Sequence, residues 1–294
     1  MLKQTLTFQS AVSLSLKDRQ LVIKPVGDDT TITRPIEDIG VVVVENQMVR
    51  FTVPLLNALA ENNVAVVFCD ATSMPRSILM SLDGNTTLQE IHRAQIEAGE
   101  PAKKRAWKQI VESKIKNQSL LLESLGLSGA PLRSLLAGVK SGDPDNREGR
   151  AARLYWSQIF GPGFRRDRNG EPPNGLLNYG YSILRAAVIR ALVGSGLYPA
   201  FGIFHRNRYN AFPLADDIME PYRPMVDAIV YDLYSKGCLM LGKEEKMTLQ
   251  RVLVCDVAMG EVTRPLQVAL SMTTASLAKY YKGDTDKLQL PVLK

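Results

Sequence analysis

The order of apolar and polar positions divides the chain into a strand-rich beginning and a helix-rich remainder. Polar and apolar residues alternate over Thr5–Leu16, and Ile39–Glu45 contains four consecutive valines, a pattern that predicts a strand buried on both faces. A short helix over Thr52–Glu61 and an apolar strand over Val64–Cys69 follow. From about residue 87 the period becomes helical, first with Leu88, Ile91 and Gln95 and then over Ala102–Leu125, Arg147–Phe160, Leu176–Val193, Leu214–Tyr234 and Val262–Tyr281.

Strands followed by helices predict an α+β protein with two segregated domains, because alternating βαβ units would intersperse the two periods. With 294 residues the chain is long enough for two cores. We expect a β domain over residues 1–72, a linker over residues 73–86 that is rich in turn formers, and a helical domain over residues 87–294. The last ten residues are expected to form a loosely held tail.

Composition bears on the compartment. The chain has 3 cysteines and no CxxC pair, which argues against a disulfide framework and against a cysteine-built zinc site. The sequence after Lys3 is polar, unlike a signal peptide, and the apolar segment Ile183–Phe204 contains Arg185 and Arg190. We therefore expect a cytoplasmic protein with no membrane segment.

Positive charge is concentrated in one part of the chain. The net charge is +6, yet residues 101–170 hold 14 basic and 6 acidic residues, a local charge of +8. Such a block is typical of a site for a polyanion, although Lys103–Lys116 alone is equally well explained as the solvated face of a helix. Arg165, Arg166 and Arg168 lie in a loop rich in glycine and proline, where no helix face needs solubilising, and this favours contact with nucleic acid.

Glu148 is the first candidate for chemistry. It lies at the start of a predicted helix and on the side of its apolar stripe. The alternative is a capping box, in which Asp145 is the N-cap and Glu148 caps in return. Gly149 fits that alternative poorly, since glycine in a first helical turn is unfavourable and often marks a close approach to the backbone.

His205 and a group of carboxylates follow in the next segments. His205 ends an apolar stretch, where a structural core histidine is the competing interpretation. Asp216, Glu220 and Asp227 share one helical face with Asp217 beside them, and a solvated polar face is the competing interpretation there. The two prolines after Glu220, Pro221 and Pro224, predict a fixed kink. One imidazole and two carboxylates in a basic domain suit Mg²⁺ or Mn²⁺ and point to a metal-dependent enzyme acting on nucleic acid phosphodiesters.

Three motifs in this order resemble the CRISPR-associated integrase family, the larger of the two universal adaptation proteins, in its type II form. They are Asp145–Trp156, His205 and Tyr209–Pro224. The resemblance covers the whole chain and implies a β-sandwich-like N-terminal domain and a larger all-α catalytic domain. It places the catalytic metal ligands at Glu148, His205 and Glu220, with Asp217 as the second choice for the third ligand. Relatives from other subtypes often carry aspartate at the position of Glu220.

The resemblance also implies an activity and partners. A bound Mg²⁺ or Mn²⁺ would assist the transesterification that joins the 3′-OH ends of a duplex prespacer to the CRISPR repeat, and water in place of the hydroxyl would give endonuclease activity. DNA contacts are expected from Arg147, Arg150, Arg165, Arg166 and Arg168. The family forms homodimers through the β domain, and a dimer of a small ferredoxin-like partner bridges two of them into a heterohexamer. Other type II adaptation and effector proteins are further expected partners.

Two alternatives from other classes stay open at this point. A non-catalytic scaffold would use the basic helices alone to bind nucleic acid. A metal-dependent hydrolase of small phosphoesters would use the same carboxylates and histidine, but it would give the basic block no purpose.

Overall fold

The computed structural model describes residues 3–79, 81 and 85–294, and the chain divides into two compact units, Met1–Leu88 and Gln89–Lys294. Residues 1 and 2 of the expected β domain, and residues 80 and 82–84 of the expected linker, lie outside the described residues.

The first unit consists of two sheets and a helix. Its elements are β1 (Gln4–Phe8), β2 (Val12–Lys17), β3 (Gln20–Pro25), β4 (Ile32–Pro35), β5 (Ile39–Val44), β6 (Arg50–Phe51), α1 (Val53–Glu61), β7 (Ala65–Cys69) and β8 (Pro75–Leu79). One sheet has the order β1-β5-β7-β8 and the other the order β4-β3-β2-β6. The alternating segment Thr5–Leu16 is therefore two strands, β1 and β2, because the chain passes from one sheet to the other between them.

Side chains of both sheets and of α1 form one core. Val42 of β5, Leu14 of β2 and Leu55 of α1 are all almost fully buried within it. Every residue of β5 is buried, as the run of valines predicts.

The expected linker contains a strand. β8 pairs antiparallel with β7, so that Val67 lies opposite Ile78, and the first unit extends past residue 72. The turn formers before β8 make a hairpin turn, in which Asp70 Oδ1 accepts the backbone N–H groups of Thr72 (2.9 Å) and Met74 (3.1 Å). The turn predicted from these residues is present, but it connects two strands of one sheet instead of two domains.

The second unit is mainly helical. Its helices are α2 (Leu88–Glu97, which starts at the boundary), α3 (Glu100–Ser124), α4 (Ala130–Leu136), α5 (Arg147–Ile159), α6 (Asn174–Gly194), α7 (Pro213–Met219), α8 (Arg223–Ser235), α9 (Lys243–Gln250) and α10 (Leu266–Lys282). It also contains a small sheet of β9 (Asp256–Met259), β10 (Val262–Pro265) and β11 (Val292–Leu293), in the order β10-β9-β11. The α+β class is confirmed, but an all-α second domain is wrong, and the helix predicted to begin at Val262 begins after a strand.

The C-terminal residues are held by α3, so the expectation of a loose tail is wrong. Asn117, which is fully buried, accepts the N–H of Leu293 (3.0 Å) and donates to the carbonyl of Pro291 (3.1 Å). The N–H of Leu288 donates to the side chain of Gln109 (2.8 Å). Amide side chains on α3 thus form the hydrogen bonds that the backbone groups of a loose C-terminal tail would otherwise form with water.

Two further features of the helices bear on the site. Helix α6 is long and apolar enough to cross a membrane, but 72% of its most apolar window is buried inside the protein, as expected of a core helix. The kink predicted near Glu220 is confirmed: α7 ends at Met219, a 3-10 turn covers Glu220–Tyr222, and α8 follows with Pro224 in its first turn.

Candidate active site

The N-terminus of α5 is capped by Asp143 and Asn146, and not by Asp145 and Glu148. Asp143 accepts the N–H of Arg147 through Oδ1 (2.9 Å) and the N–H of Glu148 through Oδ2 (2.9 Å). Asn146 is the N-cap residue, and its Oδ1 accepts a further N–H, from position 149 (3.2 Å). The capping-box alternative is therefore wrong, and the Glu148 carboxylate is available for another contact.

Gly149 serves this cap. A Cβ at position 149 would lie 2.7 Å from Asn146 Oδ1, closer than two such atoms can approach. A Cβ here would push the capping side chain of Asn146 aside, so the absence of a side chain at Gly149 favours the cap and confirms the interpretation of this glycine as a point of close approach.

Glu148 and Glu220 meet around the ammonium of Lys114. The Lys114 Nζ contacts Glu148 Oε1 and lies 2.6 Å from Glu220 Oε2. The lysine and Glu220 side chains are only 8% and 7% exposed, and Glu148 is 27% exposed. On its other side Glu220 Oε1 lies 2.9 Å from Arg223 Nε. Two predicted ligands from α5 and from the turn before α8 are thus brought together by a cation from α3.

Helix α3 also fixes the turn that carries Glu220. Asn117, which follows Lys114 on the same face, donates from its side-chain amide to the carbonyl of Pro221 (2.8 Å). Glu220 and Asp227 are 5% and 1% exposed, and Asp217 is fully buried. A solvated acidic face is therefore wrong for these residues.

Lys114 was not identified from the sequence, although a signal was present. It occupies the same buried stripe as Ile110, Asn117 and Leu121, at positions i, i+4, i+7 and i+11. A lysine inside such a stripe needs a partner. The solvated-face interpretation of Lys103–Lys116 holds for Lys108, which pairs with Glu112 at 3.7 Å on the surface, but it is wrong for Lys114.

The charges of this cluster are mutually stabilised. Burial alone would raise the pKa of Glu220, but Arg223 and Lys114 outweigh it and lower that pKa to about 2. Burial opposes the charge of Lys114 in turn, and Glu220 and Glu148 overcome it, so that the lysine pKa is raised. At neutral pH Glu220 is therefore ionised beside a protonated Lys114.

His205 is held by Asp217. The His205 Nδ1 lies 2.6 Å from Asp217 Oδ1, and the same carboxylate accepts the backbone N–H groups of Ile203 (2.6 Å), Phe204 (3.0 Å) and His205 (3.2 Å). The hydrogen bond to Asp217 is the main cause of the raised pKa of His205. The imidazole is 39% exposed, so it is not a core histidine. With Nδ1–H donated to a carboxylate, Nε2 is left as an acceptor, the arrangement typical of metal-binding histidines.

Gln95 of α2 anchors the loop that leads to His205. Its side-chain amide donates to the carbonyls of Tyr198 (3.0 Å) and Phe201 (3.2 Å), and its Oε1 accepts the N–H of Tyr198 (2.9 Å). Gln95 is 1% exposed. Sequence reasoning placed it only as a helical position, because its partners lie more than 100 residues away.

The cluster of Lys114, Glu148 and Glu220 lines a cleft, and a second buried carboxylate, Asp227, lines it as well. Asp227 Oδ2 accepts the hydroxyl of Tyr155 (2.8 Å), and Oδ1 accepts the hydroxyl of Tyr181. Burial raises the pKa of Asp227 to about 6, against the opposing effect of the two tyrosines. The cleft has a volume of about 200 Å³ and is lined by Lys114, Gln118, Glu148, Ala152, Trp156, Arg166, Tyr181, Glu220, Arg223 and Asp227.

The five arginines predicted to contact DNA divide into two groups. Arg150, Arg165 and Arg168 are exposed. The other two are engaged within the protein: Arg166 donates to Asn174 (3.0 Å) and Asn178 (2.7 Å), and Arg147 donates to the carbonyl of Leu135 (3.2 Å). Arg166 nevertheless lines the cleft.

The donor groups suit Mg²⁺ or Mn²⁺ in their chemistry. Among the described residues no three His, Cys, Asp or Glu side chains are already arranged around one point as a metal site. Glu148 and Glu220 are nevertheless held around a cation, the ammonium of Lys114, so the pair already accommodates positive charge between its oxygens. Carboxylate oxygens and an imidazole nitrogen are ligands that these metals accept.

Sequence comparison identifies related proteins. The family described as "CRISPR associated protein Cas1" matches residues 6–251. A CRISPR-associated endonuclease Cas1 of Neisseria meningitidis serogroup C is 41% identical over 238 residues, which cover 80% of this chain and 77% of the relative. One from Pyrobaculum aerophilum is 32% identical over 283 residues, covering 89% and 92% of the two chains.

Solved structures share the fold. A casposase bound to its integration product has a TM-score of 0.80 at 20% identity, covering 98% of this chain and 93% of that one. A Cas1 protein from Thermotoga maritima has a TM-score of 0.77 at 18% identity, covering 99% and 100%. At such identities the likeness establishes the fold alone.

Proposed function

This chain belongs to the Cas1 family of CRISPR-associated proteins, and from that premise we propose that it is a metal-dependent DNA integrase and endonuclease of CRISPR adaptation. The observation that carries the proposal is the convergence of Glu148 and Glu220 in one cleft, which is also lined by arginines. Its curated relatives in Neisseria and Pyrobaculum are named endonucleases, and a casposase with an integration product shares its fold.

Glu148, Glu220 and the Nε2 of His205 would hold the Mg²⁺ or Mn²⁺. Asp217 is the weaker choice for the third ligand, because its two oxygens already accept His205 Nδ1 and three backbone N–H groups. Its role is to orient the imidazole. When bound, the metal supplies Lewis-acid polarisation of a phosphodiester and stabilises its developing negative charge.

The reaction exchanges one phosphodiester for another. The 3′-OH of a prespacer loses its proton to solvent and its oxygen bonds to a phosphorus at the CRISPR repeat; the bond from that phosphorus to the 3′ oxygen of the cut strand breaks, and this leaving oxygen takes up a proton from solvent. Water in place of the hydroxyl gives strand cleavage. The exposed Arg150, Arg165 and Arg168 bind DNA phosphates, so that binding weakens as salt rises.

Membership of the Cas1 family is also the basis on which we propose an assembly of this chain with partner proteins. Two chains of similar fold come from structures named as Cas6-RT-Cas1–Cas2 complexes, which supports a Cas2-type partner for this chain. We extend this to a homodimer formed through the first unit, bridged by the small ferredoxin-like partner, and to a cytoplasmic location.

A direct test incubates the protein with Mn²⁺, a labelled short duplex with 3′-OH ends and a plasmid that carries the repeat. We expect a covalent product with the unaltered protein and none with Glu148→Ala, while both bind the duplex. Asp145→Ala is the matched control, because Asp145 is an exposed acidic residue three positions before Glu148. Binding without any covalent product, whichever divalent metal is supplied, would favour the non-catalytic scaffold.

A further inference from the structure

We propose that Lys114 is an internal counter-cation of the site: its ammonium lies between Glu148 and Glu220 in the metal-free protein, and a divalent metal must displace it on binding. This inference rests on the proposed function, since it concerns the metal site of that function. It assigns a positioning role to a residue outside the predicted ligand set.

The contacts of Lys114 identify the oxygens for which a metal competes. Its Nζ contacts one oxygen of each carboxylate, Glu148 Oε1 and Glu220 Oε2. A divalent ion bonded to both would approach each oxygen to about 2.0–2.6 Å. An ammonium in contact with the same two oxygens would then adjoin a doubly charged ion, and repulsion in this buried place excludes both from being there together.

Lys114, and not Arg223, is the cation able to leave. The Arg223 guanidinium lies over the ring of Tyr181, 4.5 Å from its centroid, and is held against Glu220 Oε1 on the side away from Lys114. A planar guanidinium held by an aromatic ring and a carboxylate is fixed in orientation. A lysine is a point charge on a flexible stem of four carbons.

An acceptor for the displaced ammonium is present on the same helix. Gln118 lies one turn beyond Lys114, at i+4, and lines the same cleft. Gln118 is 2% exposed, and its Oε1 has no hydrogen-bond partner in the part of the chain that the structure describes. Such a buried carbonyl oxygen is costly to leave unpaired. In the proposed exchange Lys114 moves to this oxygen, which satisfies it and clears the space between the carboxylates.

The exchange has two consequences for the metal-free protein. The ammonium gives the buried Glu220 and the half-buried Glu148 a shared counter-charge, which stabilises the fold before metal arrives. It also weakens metal binding, because each binding event must break the two ion pairs of Lys114.

The test compares Lys114→Met, which keeps a long unbranched side chain without its charge, with Lys116→Met, an exposed lysine on the same helix. Mn²⁺ affinity is measured by calorimetry without DNA, and thermal unfolding is followed with and without Mn²⁺. We expect Lys114→Met to bind Mn²⁺ about tenfold more tightly, a change equivalent to ~1.4 kcal/mol. Its metal-free form should unfold at a lower temperature, and saturating Mn²⁺ should restore it. Lys116→Met should match the unaltered protein.

Equal or weaker Mn²⁺ binding by folded Lys114→Met would overturn the proposal. If that variant does not fold without metal, Gln118→Leu provides the second measurement: it should weaken Mn²⁺ binding, and unchanged affinity would contradict the exchange. The proposed function fails separately, if the unaltered protein binds Mn²⁺ but forms no covalent DNA product.

Discussion

Two buried carboxylates, Glu220 and Asp227, line the same cleft, and their surroundings shift their pKa values in opposite directions. Glu220 faces Lys114 and Arg223, which hold its pKa at about 2. Asp227 faces the hydroxyls of Tyr155 and Tyr181, and burial raises its pKa to about 6. Both side chains are almost completely buried, so burial does not explain the difference between their pKa values.

The comparison teaches that the charge of the partners decides what a buried carboxylate can do. Glu220, among cations, keeps its negative charge at neutral pH, and in the proposed exchange a divalent ion replaces one of those cations. Asp227 has neutral partners that satisfy its oxygens by hydrogen bonds, and it joins α5, α6 and α8. The proposed metal site therefore lies at the Glu220 end of the cleft, and we propose a structural role for the Asp227 end.

The largest expected effect is on catalysis at the Glu220 end. Glu220→Gln should lower the rate of strand transfer and cleavage by roughly 10²–10³-fold or more, the scale of losing one preorganised electrostatic contact. Asp227→Asn should stay within about tenfold, because the amide retains one acceptor for the tyrosines. Rates are measured at saturating Mn²⁺, with circular dichroism as the control for folding. Equal losses in the two variants would contradict the division of the cleft.

A smaller effect is expected at the carboxylate behind His205. Asp217→Asn should weaken Mn²⁺ binding by about 10–100-fold, as loss of a residue that orients a metal-binding histidine usually does. It should also lower the pKa of His205, which the Asp217 hydrogen bond raises. Proton NMR can follow this directly, since the chain has only 2 histidines. Asp216→Asn is the matched comparison, because Asp216 pairs with Arg185 at 2.6 Å and is the weakest of the contributions that raise the pKa of His205, so this variant should lower that pKa less than Asp217→Asn. An unchanged imidazole titration in Asp217→Asn would refute the positioning role.

The smallest effect concerns how the free energy of unfolding depends on pH. Glu220 and Asp227, at the two ends of the cleft, contribute to it with opposite sign. The pKa of Asp227 is raised from 3.8 to about 6, so the folded state keeps its proton longer than the unfolded chain. Its contribution to the free energy of unfolding therefore falls as pH rises from about 4 to 6, by at most about 3 kcal/mol. The lowered pKa of Glu220 contributes stability above pH 4.5 that is lost as pH falls toward 2.

Urea unfolding at several pH values measures both contributions. Asp227→Asn should remove the fall in stability between pH 4 and 6 and leave the loss at lower pH in place. Retention of the full slope between pH 4 and 6 in that variant would show that Asp227 does not carry it.

Local pattern predicted much of the fold and some of the local structure around Glu148 and Glu220. The valines of β5, the break at Glu220 and the close approach at Gly149 follow from residue types and spacing, and the structure confirms all three. The choice of Glu148, His205 and Glu220 as ligands came from the family resemblance, and it stays a prediction.

The side chains that contact these residues could not be predicted from the local sequence pattern. Periodicity shows which face of a helix is buried, but not which side chain of another element meets it. Lys114 lies 34 residues before Glu148, and Tyr155 lies 72 residues before Asp227. The strand found in the expected linker has a different cause: β8 pairs with its neighbour β7 across a short turn, and residues 73–86 were interpreted as a linker because turn formers mark linkers and hairpins alike.

The most direct test of the central claim is the location of the metal itself. Crystals grown with Mn²⁺ should show one strong anomalous peak in the cleft, within about 2.0–2.6 Å of carboxylate oxygens of Glu148 and Glu220 and of the Nε2 of His205. In the same crystals the Lys114 ammonium should lie away from the two carboxylates. A Mn²⁺ peak elsewhere, or an unoccupied cleft at saturating Mn²⁺ with Lys114 still between Glu148 and Glu220, would contradict this account.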